Sequence, residues 1–376
     1  MLGKRTDSIH QICRGIASAV FACALAIPMA AQGLPPQAVP PNWPPPTEGD
    51  FAAKDFRFTS GDSLPQLNLH YATLGKPQRD ASGRVTNAVL ILHGTGGSGR
   101  QFLQQQFAGE LFGPGQLLDA TRFFIILPDG IGHGHSSKPS DGLRAKFPHY
   151  DYDDMVRAQH LLLTEGLGVN HLRLVMGTSM GCMHSFVWGE MFPEFMDALM
   201  PLACLPVEVV GRNFLWRKMT IDAIRTDPEW QDGDYTAQPR GLRTAIDLLL
   251  LVGSAPFQMQ KNYATRAQVE KYLDDQMRTR LASTDANDFL YAVDSSRNYN
   301  PAPNLNKIIA PLTHINSADD FINPPELGIA EREIKRVKHG RFILIPISDE
   351  TRGHGTHTRA VVWKKYLEEL LRISAK

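Results

Sequence analysis

Leu174-Val175-Met176-Gly177-Thr178-Ser179-Met180-Gly181 is the stretch that decides the fold. A mainly apolar run, Leu172 to Met176, reads as a short buried strand. It passes into Gly177-x-Ser179-x-Gly181, and then into Cys182-Met183-His184-Ser185-Phe186-Val187-Trp188, which reads as a helix. Between a strand and a helix, G-x-S-x-G has a mechanical meaning. The serine sits on a sharp, strained turn, and a Cβ at either glycine would collide with the neighbouring strand and helix. A chance pentapeptide in a glycine-rich chain is the competing explanation, and the flanking elements argue against it. Such a serine needs a base, an acid and an oxyanion hole from elsewhere in the chain.

Upstream, Phe56 to Thr59 and Leu67 to Leu74 read as edge strands, split by the turn signal Ser60-Gly61-Asp62. Ala88 to Leu92 is a continuous apolar run, as expected of a strand covered on both faces. It ends in His93-Gly94-Thr95-Gly96-Gly97-Ser98-Gly99. Gly94-x-Gly96-x-x-Gly99 is formally a dinucleotide fingerprint, and the next strand, Phe123 to Leu127, leads to an acid, Asp129. That acid stands 35 residues beyond Gly94 rather than about 20, and a histidine separates the strand from the first glycine. His-Gly-x-Gly after the third strand is instead where serine hydrolases place an oxyanion-hole amide. The expected donors are the backbone N–H of Thr95 (or Gly96) and that of Met180. No cofactor is expected. His133-x-His135 lies in a glycine-rich loop with no further ligand at metallohydrolase spacing, so no metal is expected either.

Downstream, Asp151 to Gly166 reads as a helix capped by Asp151 or Asp153, and Ala198 to Leu202 as another strand. From about 206 to 303 the alternation of strands and helices stops and the pattern turns helical, as in Ala245 to Val252 and Ala267 to Thr279. Strands return at Pro311 to Asn316 and Arg341 to Ile347, with a helix predicted over Glu326 to Val337 and a last helix presenting Ala360, Trp363, Leu367, Leu370 and Leu371 on one face. The pattern implies an open, mainly parallel α/β sheet of about eight strands, with a helical cap inserted between the sixth and seventh.

In open α/β sheets the chemistry lies beyond the carboxyl ends of the strands. After the two late strands come Ser317-Ala318-Asp319-Asp320-Phe321-Ile322-Asn323-Pro324 and Thr351-Arg352-Gly353-His354-Gly355-Thr356-His357. The order Ser…Asp…His is the one this architecture uses. The candidates are Ser179, Asp320 (with Asp319 as the competing acid) and His354 (with His357 as the competing base). A His354/His357 metal pair is the weaker alternative.

Composition excludes other classes. Lys+Arg and Asp+Glu are 39 each, so no global field favours nucleic acid. Lys4, Arg5 and Arg14 precede an uncharged stretch, Gly15 to Ala31, which reads as a signal peptide over 1–31 rather than a membrane anchor. A lipoprotein reading through Cys23 is disfavoured by Phe21. The expectation is an exported protein, periplasmic or secreted, without stable membrane insertion after processing. A proline-rich linker is expected over 32–50, then core segments 51–205 and 304–376 around a cap of 206–303. Removing the leader leaves Cys182 and Cys204, expected as two buried thiols, with pairing in an oxidising compartment as the alternative.

Phe147-Pro148, Asp154-Met155-Val156-Arg157-Ala158-Gln159, Glu165-Gly166-Leu167-Gly168-Val169, Gly177-Thr178-Ser179-Met180-Gly181 and Phe192-Pro193-Glu194 together resemble the homoserine O-acetyltransferase-like branch of the α/β-hydrolase superfamily. So do Ala223-Ile224-Arg225-Thr226-Asp227-Pro228-Glu229-Trp230, Pro239-Arg240-Gly241-Leu242 and Asp320 to Glu326 with Gly353-His354, over roughly residues 50 to 374. The resemblance implies Ser179, Asp320 and His354 as a triad working through an acyl-enzyme. There are departures: Gly181-Cys182-Met183-His184 stands where the acyltransferases carry Gly-Gly-Met-Gln, and Gly134-His135-Ser136-Ser137-Lys138-Pro139 replaces their glycine-serine-threonine-glycine-proline loop. Their oxyanion strand also typically ends without His-Gly-Thr-Gly-Gly. Arg212, Arg217 and Lys218 are candidates for holding a substrate carboxylate, or are solvated cap residues. Export would separate the protein from intracellular acetyl-CoA. The expectation is therefore an exported serine hydrolase acting on a small-molecule carboxylic ester, with an O-acyltransferase as the alternative. A homodimer is compatible with the sequence.

Overall fold

The computed structural model describes residues 41–375. The predicted signal peptide, Cys13, Cys23 and the linker as far as residue 40 lie outside the described residues. Eight strands form one sheet: β1 (Thr47–Arg57), β2 (Ser63–Leu74), β3 (Ala88–Leu92), β4 (Phe124–Pro128), β5 (Leu174–Thr178), β6 (Leu199–Leu202), β7 (Leu312–Ser317) and β8 (Gly340–Ile345). Their order is β1-β2-β4-β3-β5-β6-β7-β8. β1 and β2 run antiparallel, as do β2 and β4, and the remaining pairs are parallel.

The ten helices of the described residues are α1 (Ala108–Leu111), α2 (Tyr152–Leu161), α3 (Met180–Met191), α4 (Gly211–Arg225), α5 (Gly241–Gly253), α6 (Pro256–Asn262), α7 (Arg266–Leu281), α8 (Ala286–Asp294), α9 (Ile329–Glu333) and α10 (Ala360–Ile373). None is long and apolar enough to cross a membrane.

Two hydrophobic cores lie on the two faces of the sheet, and strand periodicity sorts residues between them. Leu90, Leu92, Phe124 and Ile126 join α2 and α3 in one core, through Met155, Val156, Phe186 and Trp188. Val89, Ile91, Ile125 and Leu127 join Phe107, Trp363, Leu367 and Leu370 in the other. β3, β4 and β5 are buried along their whole length, which is why they read as mainly apolar runs. α2 starts where its side chains dictate: Asp151 accepts from the backbone N–H of Asp154, whose carboxylate accepts from the N–H of Asp151. Helices α4 to α8 lie in sequence between β6 and β7, where the helical insertion was expected.

Three expectations need correction. The linker does not reach residue 50, because β1 begins at Thr47 and Thr47 to Asp50 pair with Thr73 to His70. This edge-strand segment is mostly polar, so it carries no apolar alternation to announce it. The helix predicted over Glu326 to Val337 is broken. Gly328 sits at φ 60°, and only Ile329–Glu333 is α-helical, between two 3₁₀ turns. Finally, Cys182 and Cys204 are joined by a disulfide across 22 residues, with Cα atoms 5.8 Å apart.

Candidate active site

Ser179 stands between the end of β5 and the first residue of α3 with φ 56° and ψ −111°. An L-residue occupies such a conformation only when its surroundings impose it. Here the glycines do so. A Cβ on Gly177 would lie 2.1 Å from the carbonyl oxygen of Gly181, and one on Gly181 would lie 2.0 Å from that of Leu92. Larger residues would push helix, turn and β3 apart. The Ser179 N–H donates to Leu202 O at 2.9 Å, tying the turn to β6.

Two late loops converge on this serine. His354 Nε2 lies 2.8 Å from Ser179 Oγ, and His354 Nδ1 lies 3.0 Å from Asp320 Oδ2 and 3.1 Å from Oδ1. Asp320 is 2% exposed and also accepts from the N–H groups of Ile322 and Asn323 and from the Asn323 amide. Burial alone would raise its carboxyl, but His354 and the Asn323 donors outweigh that and hold it below the ordinary value. It therefore remains an acceptor facing the imidazole.

Asp319 does different work. Its Oδ2 accepts from Thr351 Oγ1 at 2.9 Å and from the Gly353 N–H at 3.0 Å, and its Oδ1 accepts from Ser317 Oγ. It holds the loop that delivers His354 and does not touch the imidazole. His357 packs edge-on against His354 at 5.0 Å between centroids, and burial pushes its pKa down to about 3. The two adjacent carboxylates and the two histidines, ambiguous in sequence, are thus separated by geometry.

Thr95 follows Gly94, whose Cα packs so closely on Ser179 that a Cβ there would lie 3.2 Å from Ser179 Cβ. Met180 opens α3, so its N–H has no intrahelical acceptor. Beyond this loop lies a cavity of about 520 Å³, walled by Thr95, Gly96 and Lys138 on the sheet side and by Arg280, Asp288 and Phe289 from the inserted helices. Burial pushes the Asp288 carboxyl up to about 6, against the pull of the Ser140 donors. Arg280 was not among the sequence candidates. Of those that were, Lys218 pairs with Asp222 at 2.6 Å, and Arg212 stacks on Phe321 at 3.9 Å. Arg217 is buried and bonds Asn213 Oδ1 at 3.0 Å and Ser296 Oγ at 3.1 Å. His133 also lines the cavity, its Nδ1 2.9 Å from Ile131 O, and burial pushes its pKa down to about 3.

Residues 87–346 match the family model described as alpha/beta hydrolase fold. A homoserine O-acetyltransferase of Moorella thermoacetica is 32% identical over 308 residues, covering 71% of this chain and 80% of that protein. The chain is an α/β-hydrolase of the homoserine O-acetyltransferase-like branch. A probable acyltransferase of Methanothermobacter thermautotrophicus is 30% identical to this α/β-hydrolase over 278 residues, 74% of this chain and 84% of the other. Among solved structures, the acetyl esterase MekB is 25% identical with a TM-score of 0.74, covering 87% of this chain and 97% of that one. The homoserine O-acetyltransferase of Bacillus anthracis shares the fold of this α/β-hydrolase at a TM-score of 0.75 and 20% identity, over 87% and 97% of the two chains.

Proposed function

We propose that the protein is a serine acyltransferase of the homoserine O-acetyltransferase type, passing an acyl group from Ser179 to an alcohol acceptor. The observation that carries the chemistry is the unbroken hydrogen-bond chain Ser179 Oγ–His354–Asp320. His354 takes the hydroxyl proton as Ser179 Oγ attacks the acyl carbonyl, then protonates the leaving group. Asp320 holds the Nδ1–H tautomer and stabilises the imidazolium. The backbone N–H groups of Thr95 and Met180 bind the oxyanion, each worth roughly 3–4 kcal/mol on the transition state. In the second half-reaction His354 deprotonates the acceptor hydroxyl, which attacks the acyl carbon, and returns that proton to Ser179 Oγ as the ester bond to Ser179 breaks.

The acceptor distinguishes the two readings made from the sequence. The curated relatives, acyltransferases at about 30% identity, move the balance from water to an alcohol. Hydrolysis is the second reading. It is supported by the likeness to an acetyl esterase and by the Cys182–Cys204 disulfide, a bond typical of compartments where acetyl-CoA is not met. The same disulfide supports export. The helical insertion would act as a cap over the site, with the cavity beside Thr95 taking the small-molecule substrate.

Acetyl-CoA and p-nitrophenyl acetate are each supplied to the protein lacking residues 1–31, with and without homoserine, and the products are separated. O-Acetylhomoserine formed faster than free acetate is the expected outcome. Acetate alone, at a rate indifferent to homoserine, would move the assignment to an esterase.

A further inference from the structure

We infer that His93 is a positioning residue for the oxyanion hole, locking the Gly94–Thr95 peptide plane against the end of β4. The inference rests on the reading of Ser179 as nucleophile and extends it to a side chain that has no contact with that serine.

His93 is 3% exposed, at the end of β3. Its Nε2 accepts from the Gly130 N–H at 2.9 Å, so the neutral ring carries its proton on Nδ1. Nδ1 lies 2.8 Å from Gly94 O and donates to it. The same carbonyl accepts from the Gly97 N–H at 3.0 Å. With both donors on Gly94 O, the peptide plane is fixed. The Thr95 N–H, on the opposite side of the same trans unit, points away from His93. Burial holds the ring neutral down to about 4, so the bonding pattern persists across the working range.

The far end of the loop is braced from the same place. Asp129 Oδ1 accepts from the Gly99 N–H at 2.7 Å and its Oδ2 from the His135 N–H at 2.9 Å. A Cβ on Gly99 would lie 2.3 Å from Leu127 O, which is why this position is glycine. Gln101 Nε2 then reaches Thr178 Oγ1 at 3.1 Å, linking the loop to the residue before the nucleophile. The glycines and the acid that mimic a dinucleotide fingerprint in the sequence therefore have another use. They fasten a short loop to the strand beside it, with Gly94 packed against Ser179. Preorganised donors are effective because they need no rearrangement as charge develops.

The test uses His93→Ala and His93→Asn, with p-nitrophenyl acetate as substrate and 1,1,1-trifluoroacetone as a probe that forms a hemiketal oxyanion on the serine. Displacing an oxyanion donor by about 1 Å costs on the order of 100-fold. His93→Ala is expected to lose about that factor in kcat, to keep KM within about twofold, and to weaken trifluoroacetone inhibition in parallel with kcat. His93→Asn places an amide nitrogen near the Nδ1 position and is expected to recover part of both. A purely structural role would lower the melting temperature and leave kcat and inhibition per folded molecule unchanged. That result would overturn the inference.

Should neither variant fold, the wild-type trifluoroacetone adduct decides by crystallography. The Thr95 N–H bonded to the hemiketal oxygen supports the inference, and an oxygen turned away from Thr95 overturns it. Failure of the underlying reading looks different: wild type and Ser179→Ala would then turn over substrate equally.

Discussion

Ser179, His354 and Asp320 come from three loops, and each is held in place by its own set of neighbours. Ser179 is held by two glycines, His354 by Asp319 through Gly353, and Asp320 by Asn323. The sequence supplied residue types and their order. It did not separate Asp319 from Asp320, because both follow β7 and only side-chain direction distinguishes them. The structure makes the distinction testable. Asp320→Asn leaves His354 without its carboxylate and favours the wrong tautomer, so kcat is expected to fall about 10⁴-fold. Asp319→Asn removes a charge-assisted bond to the Gly353 N–H and is expected to lower stability by about 1–3 kcal/mol, with a much smaller change in kcat. Steady-state rates and denaturant midpoints of the two variants check this. Equal losses of kcat would remove the distinction.

At the scale of elements, the disulfide pins the start of α3 to the chain just beyond β6, three residues from Ser179. Closing a loop across 22 residues restricts the unfolded chain and stabilises the fold by about 3 kcal/mol on the loop-entropy model. A Cys182→Ser, Cys204→Ser double variant, and the reduced wild type, are both expected to lose about that much in urea unfolding. A loss within error of zero would contradict it. The pairing was not legible because two cysteines near separate strand ends have no sequence relation until the sheet order is known. β3, β4 and β5 were legible because full burial leaves mainly apolar residues along them. β1 was only partly so: its polar start at Thr47 carries no apolar pattern, and its partner lies across a hairpin. Within the insertion, α5 was visible in its apolar run, whereas α4 exposes Phe214, Leu215 and Met219 and blurs its own periodicity.

Over the whole molecule, buried histidines set the response to acid. Burial lowers His93 and His314 to about 4 and His133 and His357 to about 3, and holds His184 well below its ordinary value. In the unfolded chain the same rings take up protons below about 6.5. Between those values the unfolded state binds more protons, so stability is full above about pH 6.5 and falls as the pH drops, levelling only through the folded-state values. Each such ring contributes roughly 1.4 kcal/mol per pH unit in that window. Urea midpoints are therefore expected to fall steeply from pH 7 to pH 5, and a flat profile would show that these rings are not buried neutral. The central claim, that Ser179 carries the acyl group, is tested most directly by intact mass and peptide mapping after a rapid acid quench with p-nitrophenyl acetate. The account predicts an acetyl adduct on the peptide containing Ser179 in the wild type and none in Ser179→Ala. Turnover that persists in Ser179→Ala, or an adduct mapped to another residue, would contradict it.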